Sequence, residues 1–277
     1  MGCRTMTIAR GTAVYVMPLL VLMVVAFDVP IVLMLAQSVL SPHPTVAHWA
    51  ELVETPIYLR VLANTFQVAA VTAVVCGLIG YPLAYWMRGL KPGAQLVVVT
   101  LVLLPFWISI LVRTYAWIVV LGNAGFVNRS LIGLGIIDRP ISFLYNVVGV
   151  TVGTTNVLLP FLVLPLFAAM LKIDERLLQA AATLGASQRA IFWRVFFPLS
   201  LPAFAAGLVL VFILTLGFYV TPAILGGGRV PMISNMLDVL INTLPRWELA
   251  AAISTLLLAA TLALYAVYRA IAARASA

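Results

Sequence analysis

Long runs without a charged side chain alternate along this sequence with short segments that hold most of the basic and acidic residues. Residues 61–87, 92–112, 140–171, 195–228 and 249–268 carry no charge, and residues 11–40 carry only Asp28. A helix of about 20 apolar residues is long enough to cross the hydrocarbon core of a bilayer. The pattern therefore predicts six membrane-spanning helices, over residues 12–36, 62–87, 93–112, 146–171, 202–224 and 249–269.

The stretch between the third and fourth predicted helices is uncharged at its start but is interrupted by Gly122, Asn123 and Gly125. Turn-forming residues at this density disfavour a spanning helix, so we expect part of residues 114–145 to lie at the interface or to re-enter the membrane. With 64% hydrophobic and 9% charged residues, the chain cannot be an ordinary soluble domain. Residues 1–277 are predicted to form a single all-α membrane domain.

The basic residues indicate how the chain is oriented. Lysine and arginine concentrate in the cytoplasmic loops of membrane proteins, and an even number of crossings places both termini on one side. With both termini cytoplasmic, ten of the 16 lysines and arginines lie inside. These ten are Arg4, Arg10, Arg88, Lys91, Lys172, Arg176, Arg189, Arg194, Arg269 and Arg274. Membrane topology thus accounts for the net charge of +8, and nucleic-acid binding is not expected.

Catalytic and cofactor motifs are missing from the sequence. Its histidines, His43 and His48, both fall in the first external segment, so they cannot form a Ser-His or metal site within the membrane. No GxxxxGK[ST] phosphate loop occurs, and the glycine run 226–228 contains no lysine. Cys3 and Cys76 are separated by the predicted topology and are not expected to pair. The chain is therefore predicted not to be an enzyme and to bind no metal or cofactor itself.

Residues 174–200 form a polar interruption between the fourth and fifth predicted helices, on the cytoplasmic side. Asp174 is a suitable N-cap for a first short helix, Gly185 a suitable terminator, and Ser187 a suitable cap for a second. One apolar stripe is predicted on the first helix, comprising Leu177, Leu178, Ala181 and Leu184. Two interpretations fit this pattern. The segment either docks a cytoplasmic partner or lies on the bilayer as an amphipathic connector.

The sequence QAAATLGASQRAIFWRVFFPLSLP at residues 179–202 resembles the cytoplasmic EAA loop of ABC-importer permeases. The motif positions are filled here by Gln179, Ala180, Ala181, Gly185, Pro198, Leu199 and Pro202. Gln179 stands where the family has glutamate, so a salt bridge from this position to the ATPase is not expected. The resemblance implies a type I importer permease in a bacterial inner membrane, with residues 174–200 as its coupling loop. It assigns ATPase coupling to Gln179, Ala180, Ala181, Gly185, Ala186 and Arg189.

The same resemblance implies several partners. These are an ABC ATPase dimer that binds ATP and Mg²⁺, a second and different permease subunit, a periplasmic solute-binding protein, and membrane lipid. Residues 103–117, LLPFWISILVRTYAW, are similar to permeases of spermidine/putrescine-type importers, as are GFVN at 125–128 and LLPFLVLPL at 158–166. The implied substrate is therefore a polyamine or a related small amine.

An amine that crosses the membrane needs carboxylates or aromatic faces along its path. The candidates for such contacts are Asp28, Trp107, Tyr115, Trp117, Tyr219 and Asp238. Alternatively, the aromatic residues anchor helix ends at the interface, and Asp28 reaches the outer headgroups. Arg113 cannot bind a cation, and if it faces the substrate it favours a small anionic or amino-acid-like solute instead.

Two other classes of protein compete with the importer permease. A self-sufficient ion-coupled carrier or channel would explain Asp28, but intramembrane charges are otherwise scarce. A structural membrane adaptor would explain a docking loop, but not the prolines and glycines inside the predicted helices. One further feature has two interpretations in each of these classes. Gly226–Gly228 and the apolar residues 230–240 form either an external gate or an ordinary glycine-rich turn.

Overall fold

A computed structural model gives the fold and describes residues 16–40 and 43–275. Within these two ranges every regular element is a helix and no strand occurs. In chain order the helices are α1 (Val16–Leu40), α2 (Ala47–Glu54), α3 (Pro56–Arg88), α4 (Pro92–Leu103), α5 (Ile110–Leu121), α6 (Phe126–Gly133), α7 (Val147–Leu171), α8 (Glu175–Thr183), α9 (Gln188–Leu216), α10 (Val220–Gly226), α11 (Ile233–Asp238) and α12 (Trp247–Ala275).

Six segments are long and apolar enough to cross a membrane: α1, α3, residues Ile110–Gly133 with α5 and α6, α7, α9, and α12 as far as Ala270. The predicted all-α fold with six spanning helices is thereby confirmed. The helix predicted over 146–171 corresponds to α7, and those over 62–87 and 249–269 lie within α3 and α12. The helix predicted over 12–36 continues to Leu40, and its first four residues lie outside the described ranges.

The region predicted as one helix over 93–112 is divided in the structure. Helix α4 passes into a 3₁₀ turn at Leu104–Trp107, the backbone is extended at Ile108 (φ −90°, ψ 129°), and α5 begins at Ile110. The helical hydrogen-bond pattern changes from α to 3₁₀ at Pro105, because proline has no N–H to donate to the preceding turn. The third candidate span is accordingly Ile110–Gly133. Part of residues 114–145, which we expected to lie at the interface or to re-enter the membrane, thus forms helices α5 and α6.

The helix predicted over 202–224 is shifted toward the N-terminus in the structure. Helix α9 starts at Gln188, contains a π-helical turn at Phe192–Phe196, and ends at Leu216. A separate helix, α10, follows from Val220. Pro198 and Pro202 both lie within α9 and do not delimit it. Pro198 lies in the first turn after the π-helical turn, where its missing N–H is tolerated, and Pro202 lies inside the helix.

The helices group into two compact units. The first contains the described residues up to Tyr58 together with Leu237–Ala260. The second contains Leu59–Met236 and the described residues from Thr261 onward. The coupling loop and its flanking helices α7 and α9 belong entirely to the second unit.

Glycine residues allow α3, α7 and α9 to pack closely in the second unit. A Cβ atom added to Gly80 of α3 would lie 2.9 Å from a methyl group of Leu162 on α7. A Cβ atom on Gly207 of α9 would overlap the same leucine, which is fully buried. Small residues that bring helix backbones together are a usual basis of helix association in bilayers. The coupling loop is therefore attached at both ends to a closely packed core.

A bidentate ion pair joins two segments of the first unit. The Nη1 and Nη2 atoms of Arg246 donate to the two carboxylate oxygens of Glu51 at 2.7 and 2.6 Å. This hydrogen bonding from the guanidinium holds the pKa of Glu51 below its usual range. The pair is partly exposed, at 45% for the arginine side chain and 32% for the glutamate, so water screens it.

We expect the substitution Glu51→Gln to lower the melting temperature of the detergent-purified protein slightly at pH 7. An exposed pair contributes up to about 1 kcal/mol. Because the pKa of Glu51 is lowered by folding, its contribution is present above the pKa of the unfolded chain. It is lost as the pH falls through the lowered pKa of the folded state. Melting curves of both proteins should therefore converge in acid, and a difference that grows on acidification would contradict this assignment.

Candidate functional site

The first helix of the coupling loop begins as the sequence predicts. A carboxylate oxygen of Asp174 accepts a hydrogen bond of 2.9 Å from the backbone N–H of Arg176. Glu175 follows in the first turn of α8, where a negative charge is stabilised by the helix dipole. The predicted N-cap is thus confirmed, and it fixes the point at which the chain leaves α7 and turns into α8.

Gly185 ends α8 in a Schellman motif. Its φ of +81° is in the left-handed region, which is costly for residues with a Cβ atom. Its N–H donates to the carbonyl of Ala182 at 3.0 Å, and the N–H of Ala186 donates to that of Ala181 at 3.1 Å. These are the two hydrogen bonds that define the motif. An added Cβ atom would meet nothing within 4 Å, so the requirement for glycine comes from the backbone alone.

The second helix of the coupling loop restarts two residues later. The hydroxyl oxygen of Ser187 accepts a hydrogen bond of 3.3 Å from the N–H of Ala190, which confirms the predicted cap. Helix α9 then continues without a break from the loop into the membrane-spanning core. A force applied to the loop is therefore applied directly to a spanning helix.

The predicted apolar stripe on α8 is divided between two faces, and the prediction of a single stripe was wrong. Leu178 packs against the core cluster that contains Met87 and Phe196, and Ala181 is half-buried. Leu177 and Leu184 point away from this cluster, with 51% and 88% of their surface exposed. An apolar side chain left 88% exposed at the end of a helix is suited to insertion into a partner protein.

Leu184 is therefore a candidate docking residue that the sequence reasoning assigned to the wrong face. It is the C-cap residue of α8 and immediately precedes Gly185. Among the predicted coupling residues, the exposed ones are Gln179, Ala180, Gly185 and Arg189, and the half-buried ones are Ala181 and Ala186. The exposed residues of the loop thus include Ala180, Leu184 and Arg189.

The residues predicted to line a substrate path are divided between the two units. Asp28 and Asp238 belong to the first unit, where Asp238 accepts a 2.8 Å hydrogen bond from Asn242. The four aromatic residues belong to the second. Of these, Trp107 and Tyr115 are 79% and 58% exposed.

The two remaining aromatic residues differ in their surroundings. Tyr219 is 42% exposed, and its carbonyl accepts a hydrogen bond from Asn235. Trp117 is half-buried against a cluster that includes Val68 and Leu225. Of the four aromatic residues, only Trp117 lines a pocket that lies beside the break between α4 and α5.

A pocket of about 300 Å³ lies beside the break between α4 and α5. Its lining residues are Pro105, Ile108, Arg113, Ala116, Trp117, Val120 and Asn156. The Nε atom of Arg113 is buried and has no hydrogen-bond partner in the part of the chain that the structure describes. A guanidinium group inside a spanning segment needs an anion or a hydrogen-bond acceptor, so it disfavours this pocket as a site for a cation.

Of residues 230–240, proposed as an external gate, 230–236 belong to the second unit and 237–240 to the first. Val230 and Met232 are buried with Val150 and Leu225. The N–H of Ile233 donates to the hydroxyl of Thr65 on α3 at 2.9 Å. These contacts favour an ordinary structural turn for residues 226–233.

Most of the sequence resembles that of a known transport protein. The spermidine/putrescine permease PotB of Haemophilus influenzae is 37% identical over 78% of this chain and 76% of its own length. The chain belongs to the PotB-type family of ABC-importer permeases. It is thus a multi-pass permease subunit of an ABC importer, and the predicted family, fold and permease function are confirmed.

Further comparisons agree with this family. The putative 2-aminoethylphosphonate permease PhnU of Salmonella typhimurium is 29% identical over 93% of the present chain and 91% of its own length. The crystal structure of a bacterial alginate ABC transporter, in complex with an alginate-bound periplasmic protein, contains a chain with the same fold. Its TM-score is 0.77 at 20% identity, with coverage of 97% of this permease and 96% of that chain. No family model matches the sequence.

Proposed function

We propose that the permease imports a polyamine or a related small amine, and that a partner ATPase drives it through the coupling loop. The observation that carries the proposal is the geometry of this loop. Two capped helices meet at Gly185 and present Ala180, Leu184 and Arg189 on an exposed surface. An apolar side chain with small and charged neighbours is typical of a surface that binds in a groove of another protein.

The charge distribution favours a cytoplasmic position for the loop. Arg88 ends the spanning helix α3 and Lys172 follows the spanning helix α7, while Lys91 precedes α4 and Arg176 lies in α8 of the loop. In this orientation both termini are cytoplasmic, in a bacterial inner membrane. The ATPase pair hydrolyses ATP with Mg²⁺ and contacts residues 174–200 from the cytoplasm.

The remaining partners follow from the fold and the relatives. One ABC permease chain with six spans provides half of a translocation path, so a second permease subunit, proposed to be a different homologue, completes it. A periplasmic solute-binding protein delivers the substrate, as a periplasmic protein is bound to the alginate transporter of the same fold. The amine substrate is proposed from the name of the 37% identical relative.

Affinity purification of the tagged permease from its native membrane, in mild detergent, tests this function. We expect an ATP-binding subunit, a second permease and, after periplasmic extraction, a binding protein that takes up labelled spermidine or putrescine. Recovery of the chain alone, with uptake that an ion gradient supports and ATP depletion does not abolish, would overturn the proposal in favour of a carrier.

A second candidate substrate has support from one specific observation. Arg113 lines the pocket with Trp117 and Asn156, and its Nε atom is buried without a hydrogen-bond partner among the described residues. A substrate that carries both an amine and an anionic group would satisfy it, and one relative is named for such a compound, 2-aminoethylphosphonate. Carboxylates and phosphonates bind guanidinium groups through charge-assisted hydrogen bonds.

Arg113→Gln and Arg113→Lys separate the two substrate classes. For a substrate with an anionic group, we expect uptake by Arg113→Gln to fall about tenfold below that by Arg113→Lys, since only lysine keeps the charge. For a polyamine, removal of this positive charge should leave uptake unchanged or raise it. Uptake of labelled spermidine and labelled 2-aminoethylphosphonate, with each compound as competitor for the other, measures both outcomes in the same cells.

A further inference from the structure

The cytoplasmic end of α3 lies against the coupling loop, although it is far from the loop in sequence. Arg88, the last residue of α3, is only 15% exposed. Its guanidinium carbon lies 4.9 Å from the centre of the Phe196 ring, in the π-helical turn of α9. Its Nη2 atom lies 3.7 Å from a carboxylate oxygen of Glu175, in the first turn of α8. One side chain thus contacts both helices of the coupling loop.

The two contacts of Arg88 differ in strength. Glu175 is 78% exposed, and an ion pair with so exposed a partner is screened by water. Phe196 is 2% exposed, so the contact between the guanidinium and its ring is shielded from water. A cation over an aromatic face gains most when it is desolvated. The contact with Phe196 is therefore the stronger of the two.

The aromatic residues around Phe196 form a connected group that also includes α3. The ring centroids of Tyr85 and Phe196 are 5.1 Å apart, and those of Tyr85 and Phe192 are also 5.1 Å apart. Arg88 and Tyr85 are one helical turn apart on α3, so both face the same turn of α9. Two side chains of α3 therefore contact the π-helical turn of α9, which connects the coupling loop to the membrane core.

The end of α3 is itself held in place. The side-chain amide of Gln95 donates to the backbone carbonyls of Met87 and Arg88, at 3.3 Å each. These carbonyls belong to the last turn of α3, and that of Met87 also accepts a hydrogen bond of 3.1 Å from the N–H of Leu90. A cation at this end is also stabilised by the helix dipole. The backbone of Arg88 is thus held in place by Gln95, whereas the loop that its side chain contacts is exposed and accessible to a partner.

A pocket of about 280 Å³ separates the two sides of this junction. Tyr85 and Arg88 line it from α3, and Gln179 lines it from α8. The space leaves room for α8 to shift, while Arg88 bridges it. Arg88 and Phe196, which both line the pocket, keep α3 in contact with α9 beside this space.

We propose that Arg88 is a positioning residue for ATP-driven transport, which links movement of the coupling loop to helix α3. This inference rests on the proposed docking of the ATPase at residues 174–200. When the ATPase closes and displaces α8 and α9, the guanidinium carries the displacement to the end of α3. Helix α3 in turn packs through Gly80 against α7, so the movement reaches the packed core.

Arg88→Met tests this role, because methionine keeps much of the apolar stem and removes the guanidinium. The permease complex, reconstituted in proteoliposomes with its ATPase and binding protein, gives substrate imported per ATP hydrolysed. We expect Arg88→Met to lower this ratio about fivefold while the ATPase still co-purifies at the wild-type amount. Glu175→Gln should change the ratio less than twofold, since that contact is exposed.

Lys91→Met is the matched control. Lys91 lies three residues beyond Arg88, is exposed, and makes no side-chain cap bond to α4. Its substitution should leave the transport ratio unchanged. Should Arg88→Met fail to accumulate, Arg88→Lys and Phe196→Leu replace it, because each removes the guanidinium–ring contact and leaves a side chain of similar volume.

The outcomes separate this inference from the function on which it rests. A ratio equal to wild type in Arg88→Met, or an equal fall in Lys91→Met, overturns the role of Arg88. Loss of the ATPase from the Arg88→Met complex also overturns it, since the residue would then serve docking. Absence of the ATPase from the wild-type complex is a different result and overturns the proposed function itself.

Discussion

Substitution of Gly185 by proline is expected to abolish ATP-driven uptake while the permease stays in the membrane. Proline fixes φ near −65° and has no N–H. At this position the backbone has φ of +81°, and the N–H donates to the carbonyl of Ala182. The Schellman motif cannot form, so α8 and α9 would meet at a different angle. Labelled-substrate uptake, normalised to permease in the membrane by immunoblot, measures the effect.

Alanine and asparagine at position 185 provide graded controls. Alanine keeps the N–H but pays roughly 1–2 kcal/mol for the left-handed conformation, which corresponds to about a tenfold loss of the correct geometry. Asparagine tolerates that conformation better and should retain more uptake than alanine. Wild-type uptake by Gly185→Pro would contradict the prediction. Equal losses for alanine and asparagine would show that a side chain at this position clashes with the ATPase, because the structure leaves space for a Cβ atom.

The features of the coupling loop that could be predicted are those that depend on neighbouring residues alone. The caps at Asp174 and Ser187 and the turn at Gly185 each involve hydrogen bonds across at most five positions. Six spanning helices were predictable for the same reason, since length and hydropathy suffice. The break at Ile108 was missed because uncharged residues continue across it on both sides.

The faces of the loop helices could not be predicted because they depend on residues distant in sequence. Leu178 is covered by the cluster that includes Met87, whereas nearby Leu177 and Leu184 are left exposed. Periodicity assigns all three to one apolar stripe, and only the packing of α8 against α3, α7 and α9 separates them. Arg88 was likewise interpreted as a topological charge, since its contacts with Glu175 and Phe196 span 87 and 108 positions of the chain.

The coupling loop thus combines a rigid turn, an exposed apolar side chain and a link to α3. The turn fixes the angle between α8 and α9, and Arg88 joins both helices to the core. Leu184 lies on the opposite side of α8 from this link, next to the turn. Contact with the ATPase at Leu184 would therefore act at the point where a displacement moves both helices together.

Substitution of Leu184 by aspartate is expected to release the ATPase from the purified complex. Leu184 is 88% exposed in the isolated permease, so its burial in a groove of the ATPase would contribute about 1.5–3 kcal/mol. Aspartate removes this contribution and adds the cost of burying a charge. The affinity of the ATPase should fall about a hundredfold or more. Titration of the purified ATPase against the permease in nanodiscs measures the dissociation constants directly.

Leu134→Asp and Leu184→Met make the result specific. Leu134 is 73% exposed, but in the proposed orientation it faces the periplasm, so its substitution should leave ATPase binding unchanged. Methionine at position 184 keeps the apolar volume and should bind within about threefold of wild type. Tight binding by Leu184→Asp would assign docking to other residues of α8, with Leu177 and Ala180 as the next to test. Weak binding by Leu134→Asp would instead place the ATPase on the opposite side of the membrane and reverse the proposed topology.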